Sequence, residues 1–247
     1  MEKIKVGAVS YLNTRPLLYG IKQSKELSNS IALVEDYPSR ISSMLLEGSI
    51  DIGLVPVAVL PKLKDYFIIS DYCIGADGDV TSVCLFSDVP LSEIETVLMD
   101  YQSETSVGLC KILIKHFWKI NPAIQYTTGG FSTQITGTTA GMIIGDRALE
   151  QAKRSKYIYD LSGEWKKFTG RPFVFAAWVA NKKISPDFIS LFNECNRIGL
   201  DHLEDVIKNE NTGLCDLHEY YTKNISFILD DEKKKAMQVF LEMIEGM

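Results

Sequence analysis

Val9-Ser10-Tyr11-Leu12-Asn13-Thr14-Arg15-Pro16-Leu17-Leu18-Tyr19-Gly20 is the stretch on which the fold turns. An apolar strand, Ile4 to Val9, runs into a polar turn, and Pro16 stands where a helix begins, a place at which its missing N–H costs nothing. Asn13 or Thr14 can cap that helix, whose dipole favours an anion in front of it, and Arg15 adds a fork that fits a carboxylate. These residues suggest a carboxylate ligand. They read equally well as an ordinary strand-to-helix turn with its cap.

Working outward, the alternation continues. A helix from about Pro16 to Gln23 leads to an extended stretch near Ile31–Glu35, a helix from about Ser39 to Glu47, and a buried strand from Ile50 to Val57. Such a β-α-β-α-β unit implies a largely parallel sheet, and an apolar run without period-two alternation fits a strand covered on both faces. Phe67–Ile74 and Val80–Phe86 are extended, joined by Gly75-Ala76-Asp77-Gly78-Asp79 as a hairpin or a crossing segment. After Pro90 a second alternating unit begins: a strand at Glu95–Asp100, a helix from Ser103 to about Lys119, short strands at Ile124–Thr127 and Gly141–Ile144, and a helix after Asp146. Phe173–Ala180 is an apolar extended stretch, and the remaining chain reads as helices with breaks near Lys183–Asp187 and Asn209–Asp216.

Two alternating units joined by two crossing segments describe a two-lobed α/β protein with a ligand cleft between the lobes. The lobes are expected at 1–87 with 178–247, and at 88–177, the C-terminal helices completing the first lobe. A cleft at the carboxyl ends of parallel strands, facing helix N-termini from both lobes, is a natural anion site.

Composition narrows the function. A 247-residue chain with 46% hydrophobic and 23% charged residues is ordinary globular usage. A net charge of −6 argues against nucleic acid, and the one basic run, Lys233-Lys234-Lys235, follows Asp230, Asp231 and Glu232 and reads as a solvated helix face. No apolar run approaches the roughly 18 residues that span a bilayer, and the N-terminus enters a strand without a secretory signal, so a cytoplasmic location is expected. Cys73, Cys84, Cys110, Cys195 and Cys215 form an odd set without close pairs, which predicts reduced, mostly buried thiols. His116, His202 and His218 are scattered, the Gly129-Gly130 region lacks the lysine of a phosphate loop, and no Gly-x-Ser-x-Gly is present.

The second unit has a counterpart to the first turn. After the strand ending in Asp100, Ser103, Thr105 and Ser106 place hydroxyls and backbone N–H groups at a helix start, where a carboxylate would be stabilised; Ser103 as a plain N-cap is the alternative. Gly145-Asp146-Arg147 is a third candidate, with Asp146 as a cap the simpler reading.

Taken together, Ser10-Tyr11-Leu12-Asn13-Thr14-Arg15-Pro16-Leu17, Asp51-Ile52-Gly53-Leu54-Val55-Pro56-Val57, Asp100-Tyr101-Gln102-Ser103-Glu104-Thr105-Ser106, Gly145-Asp146-Arg147-Ala148-Leu149 and the run from Trp165 to Ala176 resemble the chorismate dehydratases, the first enzymes of the futalosine route to menaquinone. The match spans about two thirds of the chain in the family's order. It implies a type II periplasmic-binding-protein-like fold, a cytoplasmic enzyme, no cofactor and no metal. It also implies Asn13 and Ser82 as catalytic residues. Ser10, Tyr11, Thr14, Arg15 and Pro56 in the first lobe, and Ser103, Thr105, Ser106, Gly145 and Asp146 in the second, are the expected substrate-binding residues. The implied reaction eliminates water from chorismate, a dicarboxylate, with aromatisation as its driving force. No side chain stands out as the general base, and the substrate's own enolpyruvyl carboxylate is one candidate. The absence of an obvious base also suits a non-catalytic binding protein for an anionic metabolite. The dihydroxynaphthoate-forming lyase of the same pathway is a third reading, which the Ser-Tyr-Leu-Asn-Thr-Arg-Pro start argues against.

Overall fold

The computed structural model describes residues 3–210 and 212–247. Strand β1 (Ile4–Val9) passes through a single 3-10 turn at Leu12–Thr14 into helix α1 (Arg15–Gln23), followed by α2 (Lys25–Ser30), β2 (Ile31–Asp36), α3 (Pro38–Leu46) and β3 (Ile52–Pro56). Prolines open α1 and α3, and Ser24 caps α2 by accepting from the N–H of Leu27 at 3.1 Å. β2, β1 and β3 pair in parallel, as the alternation predicts. β4 (Phe67–Ala76), β10 (Phe173–Ala180) and β11 (Ser226–Ile228) then extend the sheet antiparallel, in the order β11-β4-β10-β3-β1-β2. β3 and β10 are buried along their whole length, which accounts for their unbroken apolar sequences.

The second sheet has the order β7-β6-β8-β5-β9. Its strands are β5 (Val83–Ser87), β6 (Thr96–Met99), β7 (Ala123–Tyr126), β8 (Thr139–Ile144) and β9 (Tyr157–Asp160), with helices α4 (Glu104–Ile112) and α5 (Asp146–Ala152) between them and α6 (Leu161–Thr169) after β9. α4 continues into a π-helical turn at Leu113–Trp118. Phe67–Ala76 and Val83–Ser87 therefore belong to different sheets, so the segment between them crosses between lobes and is not a hairpin. Sheet membership departs from the boundaries drawn at 87/88 and 177/178: the first leaves all of the second sheet's β5 with the first lobe, and the second splits the first sheet's β10. β5 pairs with β8 and β9, and all of β10 pairs with β3 and β4, so the sheets part after Ala76 and rejoin before Phe173.

The C-terminal part holds α7 (Pro186–Asp201), α8 (Leu203–Asn209), a short α9 (Leu217–Glu219) running into a π turn at Tyr220–Asn224, and α10 (Asp231–Glu245). α7 lies against α1, and Gly199 makes this possible: a Cβ there would stand 1.7 Å from the carbonyl oxygen of Pro16. α10 departs from the expectation that these helices serve the first lobe alone. Phe240 packs edge-on against Phe173 of the first sheet, at 4.9 Å between ring centroids, and against Trp165 of α6, at 6.2 Å. The basic run is not wholly solvated, because Lys233 is buried and its ammonium pairs at 2.9 Å with Asp230, the cap of α10. All five cysteines are free thiols, four of them buried. Among the described residues no helix is long and apolar enough to cross a membrane.

Candidate functional site

Between the sheets lies a narrow cleft enclosing about 460 Å³ of space, the solvent at its mouth included. The first lobe contributes Val9, Tyr11, Asn13, Thr14, Pro38, Pro56, Ile74, Phe175 and Ala176. The crossing segment contributes Val80 and Ser82, and the second lobe Val83, Ser103, Ser106, Ile144 and Gly145. Tyr11, Asn13, Thr14, Pro56, Ser82, Ser103, Ser106 and Gly145 thus meet around one cavity, although they are spread over most of the chain. Among the described residues, no Asp, Glu, Lys, Arg or His lines the cavity.

Four expected binding residues lie elsewhere. Ser10 is exposed and its N–H is taken by the carbonyl of Asp36 at 3.1 Å. Arg15 pairs with Glu210 at 3.1 Å and with Glu35 at 3.6 Å, so its guanidinium is already neutralised by carboxylates of the protein. Thr105 is fully buried, and its hydroxyl accepts the N–H of Ala58 at 3.0 Å, which ties α4 to the first lobe. Asp146 accepts the N–H of Leu12 at 3.1 Å and likewise joins the lobes. It is the first residue of α5, while Gly145 occupies the cap position. Burial raises the Asp146 carboxyl above the usual range, an effect that outweighs the Leu12 N–H donor.

The turn at the first helix also differs from a side-chain cap. Neither Asn13 nor Thr14 caps α1, because the 3-10 turn runs straight into it and the N–H groups of Thr14 and Arg15 bond back to the carbonyls of Tyr11 and Leu12. The Asn13 carbonyl oxygen accepts from the Thr14 hydroxyl at 3.1 Å, leaving the amide NH₂ as the group Asn13 can offer a ligand. In the second lobe Ser103 does cap α4, accepting from the Ser106 N–H at 3.3 Å and the Ser106 hydroxyl at 3.1 Å. Capping and cavity lining coexist in the same two serines.

Ser82 follows Thr81, whose φ of 62° is unusual for a residue with a Cβ. Thr81 is held by the Asp160 carboxylate, which accepts its N–H at 2.6 Å and caps α6 through Ser162 and Gly163, both at 3.0 Å. Burial pushes the Asp160 carboxyl up to about 6 despite these donors. Gly145 has φ 66°, and a Cβ there would sit 2.8 Å from the Tyr11 ring, so glycine lets the two lobes touch at this edge of the cavity.

Behind Tyr11 a polar group closes the wall. The Asp100 carboxylate is buried and binds Arg147 at 2.7 Å, Arg147 donates to the side-chain amide oxygen Oε1 of Gln102 at 2.5 Å, and the Tyr11 hydroxyl donates to that same oxygen. Burial raises the Tyr11 phenol well above its ordinary value, which keeps it protonated. Gln102 and Arg147 were not among the expected binding residues, although Arg147 stands in the third candidate turn, and Tyr220 and Tyr221 escaped the sequence reading altogether. A strand-ending Asp100 with a helix-starting Arg147 was the available signal for the first pair. For the tyrosines there was none.

A cavity between two α/β lobes, reached by two crossing segments, defines a protein of the periplasmic-binding-protein type, and solved structures agree. A protein from Archaeoglobus fulgidus superposes with a TM-score of 0.74 at 13% identity, covering 99% of this chain and 97% of the other. A Candida albicans protein described as exhibiting the generic periplasmic binding protein fold gives 0.65 at 11% identity, covering 100% and 91%. The periplasmic aliphatic sulphonate binding protein SsuA of Escherichia coli gives 0.64 at 14%, covering 100% and 92%. The family model for menaquinone biosynthesis matches residues 4–246, and the chain belongs to that family. The chorismate dehydratase of Thermus thermophilus is 25% identical over 268 residues, which cover 99% of this chain and 96% of that protein.

Proposed function

We propose that this chain is a chorismate dehydratase, a hydro-lyase of the cytoplasm that converts chorismate to 3-[(1-carboxyvinyl)oxy]benzoate and water on the futalosine route. Membership of the menaquinone biosynthesis family and similarity to the Thermus thermophilus enzyme support the reading. The observation that carries it is a cavity whose polar lining is neutral, with Asn13, Thr14, Ser82, Ser103 and Ser106 facing in from both lobes.

Such a lining can orient an anion and stabilise charge that develops on it without quenching either carboxylate in an ion pair. Ser103 and Ser106 at the start of α4 suit one carboxylate, and the apolar walls at Ile74, Val80 and Phe175 suit the ring. The reaction removes a proton from one ring carbon and hydroxide from the next. With no ionised side chain in the wall, the substrate's enolpyruvyl carboxylate takes the ring proton and returns it to the departing hydroxyl, so that water leaves. Asn13 and Ser82 assist as donors to the leaving oxygen or to the ring carboxylate as its negative charge spreads.

Incubation of the purified protein with chorismate in the presence of a strong chelator tests this. Growth of the aromatic product by absorbance and mass spectrometry is the expected result. Bound but unchanged chorismate would instead identify a non-catalytic binding protein, and activity that depends on an added metal or nucleotide would overturn the cofactor-free mechanism.

A further inference from the structure

The π turn after α9 places two adjacent tyrosines almost wholly out of water, Tyr220 at 1% and Tyr221 at 2% exposure. The Tyr220 hydroxyl donates to Ser82 Oγ at 2.7 Å, and the Tyr221 hydroxyl donates to the carbonyl oxygen of Leu12, the residue before Asn13, at 3.0 Å. Two neighbouring residues near the C-terminal end thus hold the two loops that carry the proposed catalytic groups. Leu12 is fixed from both sides, since its N–H is bound by Asp146.

The direction of the Tyr220 bond matters. A phenol is the stronger acid of the two hydroxyls and the better donor, and Ser82 Oγ is the partner its hydrogen has among the described residues. If Ser82 donated instead, a buried phenolic hydrogen would be left without an acceptor. With Oγ accepting from Tyr220, the Ser82 hydrogen has, among the described residues, only the Val80 carbonyl at 3.5 Å, beyond the usual O–H···O range, or else a ligand in the cavity. The Ser82 hydroxyl is thereby set as a donor toward the cavity. Burial also raises the Tyr220 phenol far above its ordinary value, so it remains a donor throughout the working pH range.

We propose that Tyr220 and Tyr221 are positioning residues: Tyr220 aims the proton of Ser82 into the cavity, and Tyr221 fixes the turn that presents Asn13. The proposal rests on Ser82 and Asn13 acting on chorismate as described above.

Two double-mutant cycles test it, with kcat and KM for chorismate measured on the full chain and folding checked by Tm. Tyr220→Phe keeps the ring and removes one oxygen. It should lower kcat about tenfold with KM within about twofold, and should cost less than twofold when added to Ser82→Ala. Tyr221→Phe should behave likewise, with its effect lost in the Asn13→Leu background. A loss of equal size in both backgrounds, or no loss in the wild-type background, overturns the proposal for that tyrosine. The two cycles are independent, so a variant that fails to fold in one leaves the other to decide. If the wild type binds chorismate without turnover, the same cycles are read in its Kd by calorimetry, and the catalytic reading alone has failed. A wild type that neither binds nor converts chorismate overturns both.

Discussion

Asn13 stands at the meeting point of a local and a global requirement. Its carbonyl oxygen is occupied by Thr14, so its amide hydrogens are the part available to substrate. Replacing Asn13 by Leu should lower kcat by about 10²-fold, in the range found when one transition-state donor is removed, with Tm nearly unchanged. Near-wild-type turnover in the folded variant would reduce Asn13 to a structural part of the turn. Asp160 allows a different test. Its folded pKa of about 6 lies above the ordinary carboxyl value, so the native state binds the proton more tightly than the unfolded chain between roughly pH 4 and pH 6. Its contribution to stability is fully present below about pH 4 and is lost as pH rises through 6. The stability difference between wild type and Asp160→Asn, from urea unfolding, should accordingly shift against the wild type by up to about 3 kcal/mol between pH 4 and pH 7. A difference that does not vary with pH would show that burial does not penalise the ionised carboxyl.

At the scale of elements, α1, which continues the cavity-lining Leu12–Thr14 turn, is packed against α7. Gly199 permits the close crossing, since a methyl there would overlap the Pro16 carbonyl. Gly199→Ala should destabilise the protein by about 3 kcal/mol, at the upper end of overpacking costs, because backbone and not a flexible side chain must move. Chemical denaturation measures this, and a change under about 0.5 kcal/mol would mean that α1 and α7 separate at little cost. Most of these elements were legible. Pro16, Pro38 and the unbroken apolar runs at Ile52–Pro56 and Phe173–Ala180 announced themselves by composition. β9 and α6 did not. Tyr157–Asp160 is too short to show a period, and its role as an edge strand beside β5 exists only through pairing.

Over the whole molecule, the lobes meet through hydrogen bonds as well as apolar contact. The Ala58 N–H to Thr105, the Leu12 N–H to Asp146, the Ser39 N–H to the Gln102 carbonyl at 3.0 Å and the Lys62–Glu104 ion pair all join one lobe to the other. Thr105→Val leaves the Ala58 N–H without its acceptor in this arrangement and so favours separation of the lobes. Product affinity should fall by about 1–2 kcal/mol although Thr105 does not line the cavity, and small-angle scattering should show a larger radius of gyration without ligand. Unchanged affinity and unchanged dimensions would show that this bond has no part in closure.

The sequence by itself determined the alternating elements, the existence of two lobes and the residue types at the cavity wall, because strands, helix starts and turns follow from neighbours a few positions apart. It did not determine which polar groups remained free. Arg15 had the chemistry of a carboxylate fork, yet Glu35 and Glu210 neutralise it. Thr105 and Asp146 had the placement of ligand donors and acceptors, yet backbone N–H groups of the first lobe claim them. Tyr220 and Ser82 are 138 positions apart and became partners only when the π turn was packed beneath the crossing segment. A polar group's function depends on which partners folding has already assigned to it. Those partners are long-range, so only the tertiary structure decided them.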